Sequence, residues 1–202
     1  MITIPKLKLP NMKKILISLS IILLPSSFLN AQFTGLGGGT GFTTGYHFHD
    51  APYDYNKSGN FFGSVKGIYE LDLPLHISPS ITFFIPHIDK QPDTKTTVST
   101  LMFDINGHYV FNSLNRMEFY GLAGIDILLA WKKTKYTSFT EKESDNALGL
   151  NLGAGTNIKI TEQLYIYAEA KYILSRLDQF LINAGVMINI GWLSKHEEDN
   201  KL

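Results

Sequence analysis

Residues 180–192 read FLINAGVMINIGW, and this stretch decides the fold. Its even positions, Phe180, Ile182, Ala184, Val186, Ile188, Ile190 and Trp192, are wholly apolar. Its odd positions, Leu181, Asn183, Gly185, Met187, Asn189 and Gly191, mix polar, small and apolar residues. A repeat of two is the signature of a strand, here with one uniformly apolar face.

The same period runs back through the chain. Leu148–Ile160 sets Leu148, Leu150, Leu152, Ala154, Thr156, Ile158 and Ile160 against Gly149, Asn151, Gly153, Gly155, Asn157 and Lys159. Leu164–Leu174 sets Ile166, Ala168, Ala170, Tyr172 and Leu174 against Tyr165, Tyr167, Glu169, Lys171 and Ile173. Met117–Trp131, Leu101–Phe111 and Leu75–Ile85 alternate likewise. Asn60–Leu71 is weaker, and the register of the Gly-rich segment Phe33–His47 stays open. These make about eight strands, each of about 11 residues or more. Strands of soluble domains cluster at about five or six residues, whereas a tilted membrane-crossing strand needs about 9–11. Length points to a bilayer.

The connections alternate in length. Asp72–Pro74, Asn112–Arg116 and Thr161–Gln163 are tight turns; His49–Ser58, Pro86–Lys95 and Lys132–Asn146 are long and charged, and Ser175–Gln179 is the shortest link on that side. An even number of strands with turns on one side and loops on the other predicts an all-β, closed, antiparallel up-and-down transmembrane barrel, with both chain ends beneath the short turns. Within the barrel, Thr161–Gln163 as a turn places Asn157 opposite Tyr167 and Gly155 opposite Glu169.

Composition agrees. The chain has 202 residues, no Cys, 17 Gly, 13 Phe and 10 Tyr, with only 18% charged residues. Without Cys there is no lipid-anchor motif, disulfide framework or thiolate metal site. The 18 basic and 18 acidic residues balance, and no basic stripe suits a nucleic acid. Four of the Lys precede residue 32, so the rest carries 14 basic against 18 acidic groups, a net −4. Residues 1–31 read as a secretory signal peptide, with Met12-Lys13-Lys14, an apolar Ile15–Leu24 and Ala31 at the cut. That apolar run is shorter than the about 20 residues a spanning helix needs. Met12 is the better initiator, Gln32 starts the mature chain, the barrel covers 32–192, and 193–202 form a short polar tail.

Two architectures share this alternation as inside-out copies. A lipocalin-like carrier turns its apolar face inward onto a ligand; a membrane barrel turns it to lipid. The apolar faces here carry no charge, and Lys or Arg at mid-bilayer costs about 2–4 kcal/mol. The opposite face holds both signs, which a narrow lumen would pair. Lys66, Glu70, His76, Asp104, His108, Glu118, Asp126, Lys159, Glu169 and Lys171 are the expected lumenal network, with an ion pair between Glu70 and His76. Two aromatic girdles are expected: Tyr69, Tyr109, Phe111, Phe119 and Trp192 near the turns, and Phe83, Trp131, Tyr172 and Phe180 near the loops. On this assignment Asn151→Arg, entering the lumen, should be milder than Leu152→Arg, which enters lipid.

From Gln32 to about Trp192, through its NAQF junction and the final GVMINIGW strand, the chain resembles the small eight-stranded outer-membrane barrels of the OmpA/OmpX type. The resemblance implies a multi-pass Gram-negative outer-membrane protein with periplasmic termini. It also implies insertion by the barrel assembly machinery, a lipid surround, a monomeric state, and no cofactor or metal. The implied role is non-enzymatic, in envelope integrity or surface interaction with an unknown extracellular ligand. A lipocalin-like carrier and a lipid-modifying hydrolase or acyltransferase are the alternatives. The latter would use His47, His49, His87, Ser58 or Ser138.

Other motifs are weaker. GLGGGTG at Gly35–Gly41 fails G-x-G-x-x-G because Thr40 stands where the third glycine belongs, so room for neighbouring side chains explains it better. His47-x-His49-Asp50 has metal-ligand chemistry but sits where a strand enters a loop.

Overall fold

The computed structural model describes residues 32–45, 60–71 and 74–190. The described residues all belong to one compact unit, Gln32–Leu202. The expected signal peptide, the expected polar tail, Trp192 and the His47–His49–Asp50 motif lie outside the described residues.

Nine strand segments follow one another among the described residues: β1 (Gln32–Thr43), β2 (Asn60–Glu70), β3 (Leu75–Phe84), β4 (His87–Gln91), β5 (Thr94–Leu114), β6 (Met117–Tyr136), β7 (Thr140–Lys159), β8 (Leu164–Ser175) and β9 (Gln179–Asn189). All neighbours pair antiparallel, in the order β3-β2-β1-β9-β8-β7-β6-β5-β4, and β3 also pairs with β5. That last pairing closes the sheet. β3 and β4 lie one after the other along β5, with Ile85 and Pro86 between them, so the barrel has eight staves. Closure is obligatory in hydrocarbon, where an unpaired sheet edge would leave N–H and C=O groups without partners.

The turns fall where the alternation stops. Asn115 and Arg116 alone join β5 to β6, and Asn115 takes a positive φ of 28°, which Asn tolerates better than most side chains. Across Thr161–Gln163, Asn157 pairs with Tyr167 and Gly155 with Glu169, as that turn dictates. A bulge between Phe33 and Gly35 settles the register left open in β1. Beyond it Gly35, Gly37, Gly39 and Gly41 point inward and Leu36 and Phe42 outward.

The long loops on the opposite side are in good part strand. β5, β6 and β7 have 21, 20 and 20 residues, replacing much of the loop expected at Pro86–Lys95 and Lys132–Asn146. At about 3.3 Å per residue such a strand runs about 66 Å, whereas crossing a 25 Å apolar band at about 45° takes only about 35 Å. The excess forms a stiff extension of β4 to β7 beyond the band. Its polar residues lie on both faces, which is why the two-residue signal faded there.

The faces are unambiguous. Leu148, Leu150 and Leu152 are 73%, 58% and 53% exposed, while the interleaved Asn151 is 1% exposed. The outward face is apolar and the buried charges all lie on the inward face, the orientation of a membrane barrel and the reverse of a lipocalin. Phe33 packs tilted against Tyr69 near the turns at 5.6 Å, and Phe42 meets Phe61 edge-on near the loops at 5.7 Å. Nine residues separate Phe33 from Phe42; at about 3.3 Å per residue and about 40° of tilt they stand about 23 Å apart along the membrane normal, close to the usual band. Tyr109, Phe111, Phe83, Trp131, Tyr172 and Phe180 are also outward and exposed; Tyr69 and Phe119 are half-buried on the same surface.

Leu152→Arg should cost about 2–4 kcal/mol in denaturant unfolding from lipid vesicles. The structure revises the companion expectation for Asn151. It is fully enclosed and donates through Nδ2 to Asn106 Oδ1 at 2.9 Å, so an arginine there has no space. Asn151→Ser, which shrinks rather than overfills the site, is the mild substitution, expected within about 1.5 kcal/mol of the parent.

Candidate functional site

The lumen is built in layers that follow the inward positions along each strand. Nearest the turns, Ile68, Tyr167 and Met187 form an apolar floor with Tyr165 packed against it. One inward step along β2 and β8 come Lys66 and Glu169, and on β5 and β6 His108 and Tyr120. Another step holds Asp104, Asn106, Asn151, Lys171, Ser64 and Asn183. Above them Phe62, Phe84, Met102, Ile173 and Leu181 form a second apolar layer, and Val98, Leu128, Ala130, Ala147 and Leu177 a third. The sequence reading put polar, small and a few apolar residues on this face and expected a charged network there. The apolar layers were visible as Phe62, Met102, Leu128 and Leu181 on the polar parity, but a strand pattern cannot show that they meet.

Two buried ion pairs occupy the middle. Lys66 Nζ binds Glu169 Oε1, which also accepts from Tyr120 Oη at 2.8 Å. Lys66 lies over the Tyr167 ring, 4.4 Å from its centroid, and His108 stacks on Tyr120 at 4.4 Å. Lys171 Nζ pairs with Asp104 Oδ2 at 3.0 Å. Ser80 Oγ donates to the same oxygen at 2.8 Å, and Asn106 Nδ2 donates to Oδ1. Asn183 Nδ2 donates to Ser64 Oγ at 3.0 Å, and Thr43 Oγ1 to Gln179 Oε1 at 2.8 Å. Buried charges survive only when paired and further hydrogen-bonded, and both carboxylates meet that condition.

Glycine supplies the volume these side chains need. A Cβ on Gly155 would come within 2.6 Å of the Tyr120 ring and 2.8 Å of Glu169 Cγ. One on Gly39 would strike the Tyr167 hydroxyl. A cavity of about 10 Å³ remains between Lys66, Ser78, Ser80, Asn106, Glu169 and Lys171. That is room for about one water. A second, of about 50 Å³, opens near the turns between Glu70, His76, Glu118 and Asn157.

The expected network members are not all gathered in one place. Lys66, Asp104, His108, Glu169 and Lys171 meet as described. Asp126 is buried opposite Asp104 across β5 and β6, and neither of its oxygens has a hydrogen-bond partner. Glu70 pairs in register with His76 but is exposed at the rim, and His76 Nε2 has no hydrogen-bond partner, so the expected ion pair is not formed. Glu118 is half-buried and accepts from Asn157 Nδ2 at 3.5 Å. Lys159 turns instead to Glu162 in the β7–β8 turn, 2.6 Å away, because that partner is local and solvated. Ser80, Asn106, Asn151 and Asn183 were read as inward but were not among the expected network members; inward parity was their only signal. Among the described residues, no three His, Asp or Glu side chains are placed to hold a metal ion.

A closed antiparallel barrel of eight staves, apolar outside and packed with paired charges inside, defines a small membrane-spanning barrel. The model of the outer membrane protein beta-barrel domain family matches residues 16–194, and the chain belongs to that family. No curated protein matches it. Similar solved structures share the fold at low identity. The attachment invasion locus protein Ail of Yersinia pestis is 16% identical, with 79% of this chain and 100% of that one covered at a TM-score of 0.54. Neisserial surface protein A is 13% identical, with coverage of 80% and 99% and a TM-score of 0.56. The N-terminal barrel domain of Pseudomonas aeruginosa OprF is 13% identical, with coverage of 80% and 100% and a TM-score of 0.51. The protein is thus an outer-membrane barrel.

Removing Glu169 strands Lys66 in the lumen, so Glu169→Gln should destabilise by about 3–5 kcal/mol, and adding Lys66→Met should recover part of that loss. Asp126→Asn removes a charge with no hydrogen-bond partner and should stay within about 1 kcal/mol of the parent. Denaturant unfolding in lipid vesicles reads all three.

Proposed function

We propose that this is a non-enzymatic, monomeric outer-membrane protein that acts through its surface, in envelope integrity or surface interaction, and not by passing solutes. The supporting observation is the lumen: Lys66, Asp104, Tyr120 and Tyr167 are 4%, 3%, 1% and 0% exposed, held between apolar layers. Eight strands leave an interior just wide enough for side chains, and here they fill it. The carrier reading fails for the same reason, since an apolar ligand would have to displace two buried ion pairs. For a hydrolase, His87 starts β4 opposite Val98, while Ser138 lies past the end of β6; His47, His49 and Ser58 fall outside the described residues.

In this reading the β4–β7 extension faces the exterior, and Gln32 and Leu202 lie on the periplasmic side beneath the short turns. The surrounding partner is outer-membrane lipid, and the barrel assembly machinery inserts the chain. In planar bilayers the protein should give no large, long-lived single-channel openings; such openings would refute the closed lumen. Ser138→Cys, between β6 and β7, should react with a membrane-impermeant maleimide on intact cells, whereas labelling only after outer-membrane disruption would reverse the topology.

A further inference from the structure

The extension separates its charges by face. On β6, Lys132 points inward and pairs with Glu143 of β7 at 3.2 Å. The outward positions of the same strands continue the line of Phe103, Ile127, Trp131 and Leu148. There stand Lys90 on β4, Lys95 on β5, Lys133 and Lys135 on β6, and Lys142 on β7, all exposed. The acids on these strands, Asp89, Glu141, Glu143 and Asp145, have the inward parity, and Asp93 stands exposed in the turn between β4 and β5. The outward lysines also face one another in register. Lys90 is opposite Lys95, Lys95 is opposite Lys135, and Lys133 is opposite Lys142.

Directly opposed residues have Cβ atoms about 5 Å apart, and like charges so placed repel. Four adjacent strands, β4 to β7, therefore carry opposed cations on a face whose strand positions hold no acid among the described residues. Height identifies what offsets it. Lys133 and Lys135 lie two and four residues beyond Trp131. At about 3.3 Å per residue and about 40° of tilt that is about 5 and 10 Å above an aromatic at the edge of the apolar band. The headgroup layer begins there and is about 5–7 Å deep on each side of a bilayer, so Lys133 stands within it and Lys135 just above it, within reach of a lysine side chain. The lysines continue the lipid-facing surface itself, so their nearest neighbours are headgroups and not a soluble ligand over the loop tips.

We propose that this face binds the phosphates of outer-leaflet glycolipid, which neutralise the opposed lysines and fix the extension upright on the membrane. The inference rests on the outward orientation of the extension given above. The test uses the full mature chain purified in neutral detergent with added lipid A, bound lipid being counted by native mass spectrometry. Lys95→Gln with Lys135→Gln should weaken lipid A retention about thirtyfold, about fivefold for each charge near an anionic surface. Arg116→Gln with Lys159→Gln, the same charge change at the turn side, should leave retention unaltered. Equal retention by the first pair and the parent, or equal loss from both pairs, would overturn the proposal. Preference for soluble heparin over lipid A would overturn it in favour of a polysaccharide partner. Failure of Ser138→Cys to label intact cells would overturn the orientation, and with it the outer leaflet as source. Normal labelling with unchanged lipid retention would overturn the lysine face alone.

Discussion

Closure of the sheet is the constraint on which the rest depends. In hydrocarbon no edge strand can stand unpaired, so β1 must pair on both sides, with β2 and with β9. With only eight staves, closure also leaves little interior volume. The glycines of β1 answer that shortage. A Cβ on Gly37 would come within 2.9 Å of the Val186 carbonyl, and Cβ atoms on Gly39 and Gly41 would enter the space of Tyr167 and Phe62. The strand that completes the wall contributes almost no inward side chain. The large residues of β2 and β8 fill the lumen in its place.

Filling the lumen then sets its electrostatics. Apolar layers on either side of Lys66–Glu169 and Lys171–Asp104 keep water out and lower the local dielectric, so each ion pair is strong when made and costly when broken. Every lumenal carboxylate that binds a lysine also accepts from neutral donors, Tyr120 in one case and Ser80 and Asn106 in the other. Asp126 lacks such donors. Its neighbours across the strands are Asp104 and Gly149, and neither can donate a side-chain hydrogen bond.

Which face met lipid was legible in the sequence because hydrocarbon removes charge from that face at every alternate position, and a period of two survives any detail of packing. Turns were legible for the same reason, as breaks in the pattern. The partners inside the lumen were not. Lys66 and Glu169 are 103 residues apart on strands that do not pair with each other, so no register connects them. Lys159 had inward parity, yet a local partner at Glu162 took it to the rim. Phe62 and Met102 shared parity with charges, and only closure showed them stacked as a layer. The strand extension was hidden because beyond the bilayer neither face is forced to be apolar.

Even there the alternation persists in a different chemistry. A single step from Lys132 to Lys133 crosses from one face of β6 to the other, from a lysine held by Glu143 to one opposed by Lys142. On the inward face of the extension acids and bases appear together, Lys132 with Glu143 among them. Outside it, five lysines occupy strand positions of a face that holds no acid along those strands, among the described residues. A protein surface free in solution gains nothing from opposing like charges in register. Their segregation is the mark of an anionic surface held against that face, just as the uncharged face below it marks hydrocarbon. The two environments follow one another along a single line of side chains, Ile127, Trp131, Lys133 and Lys135, in the order in which a bilayer presents them.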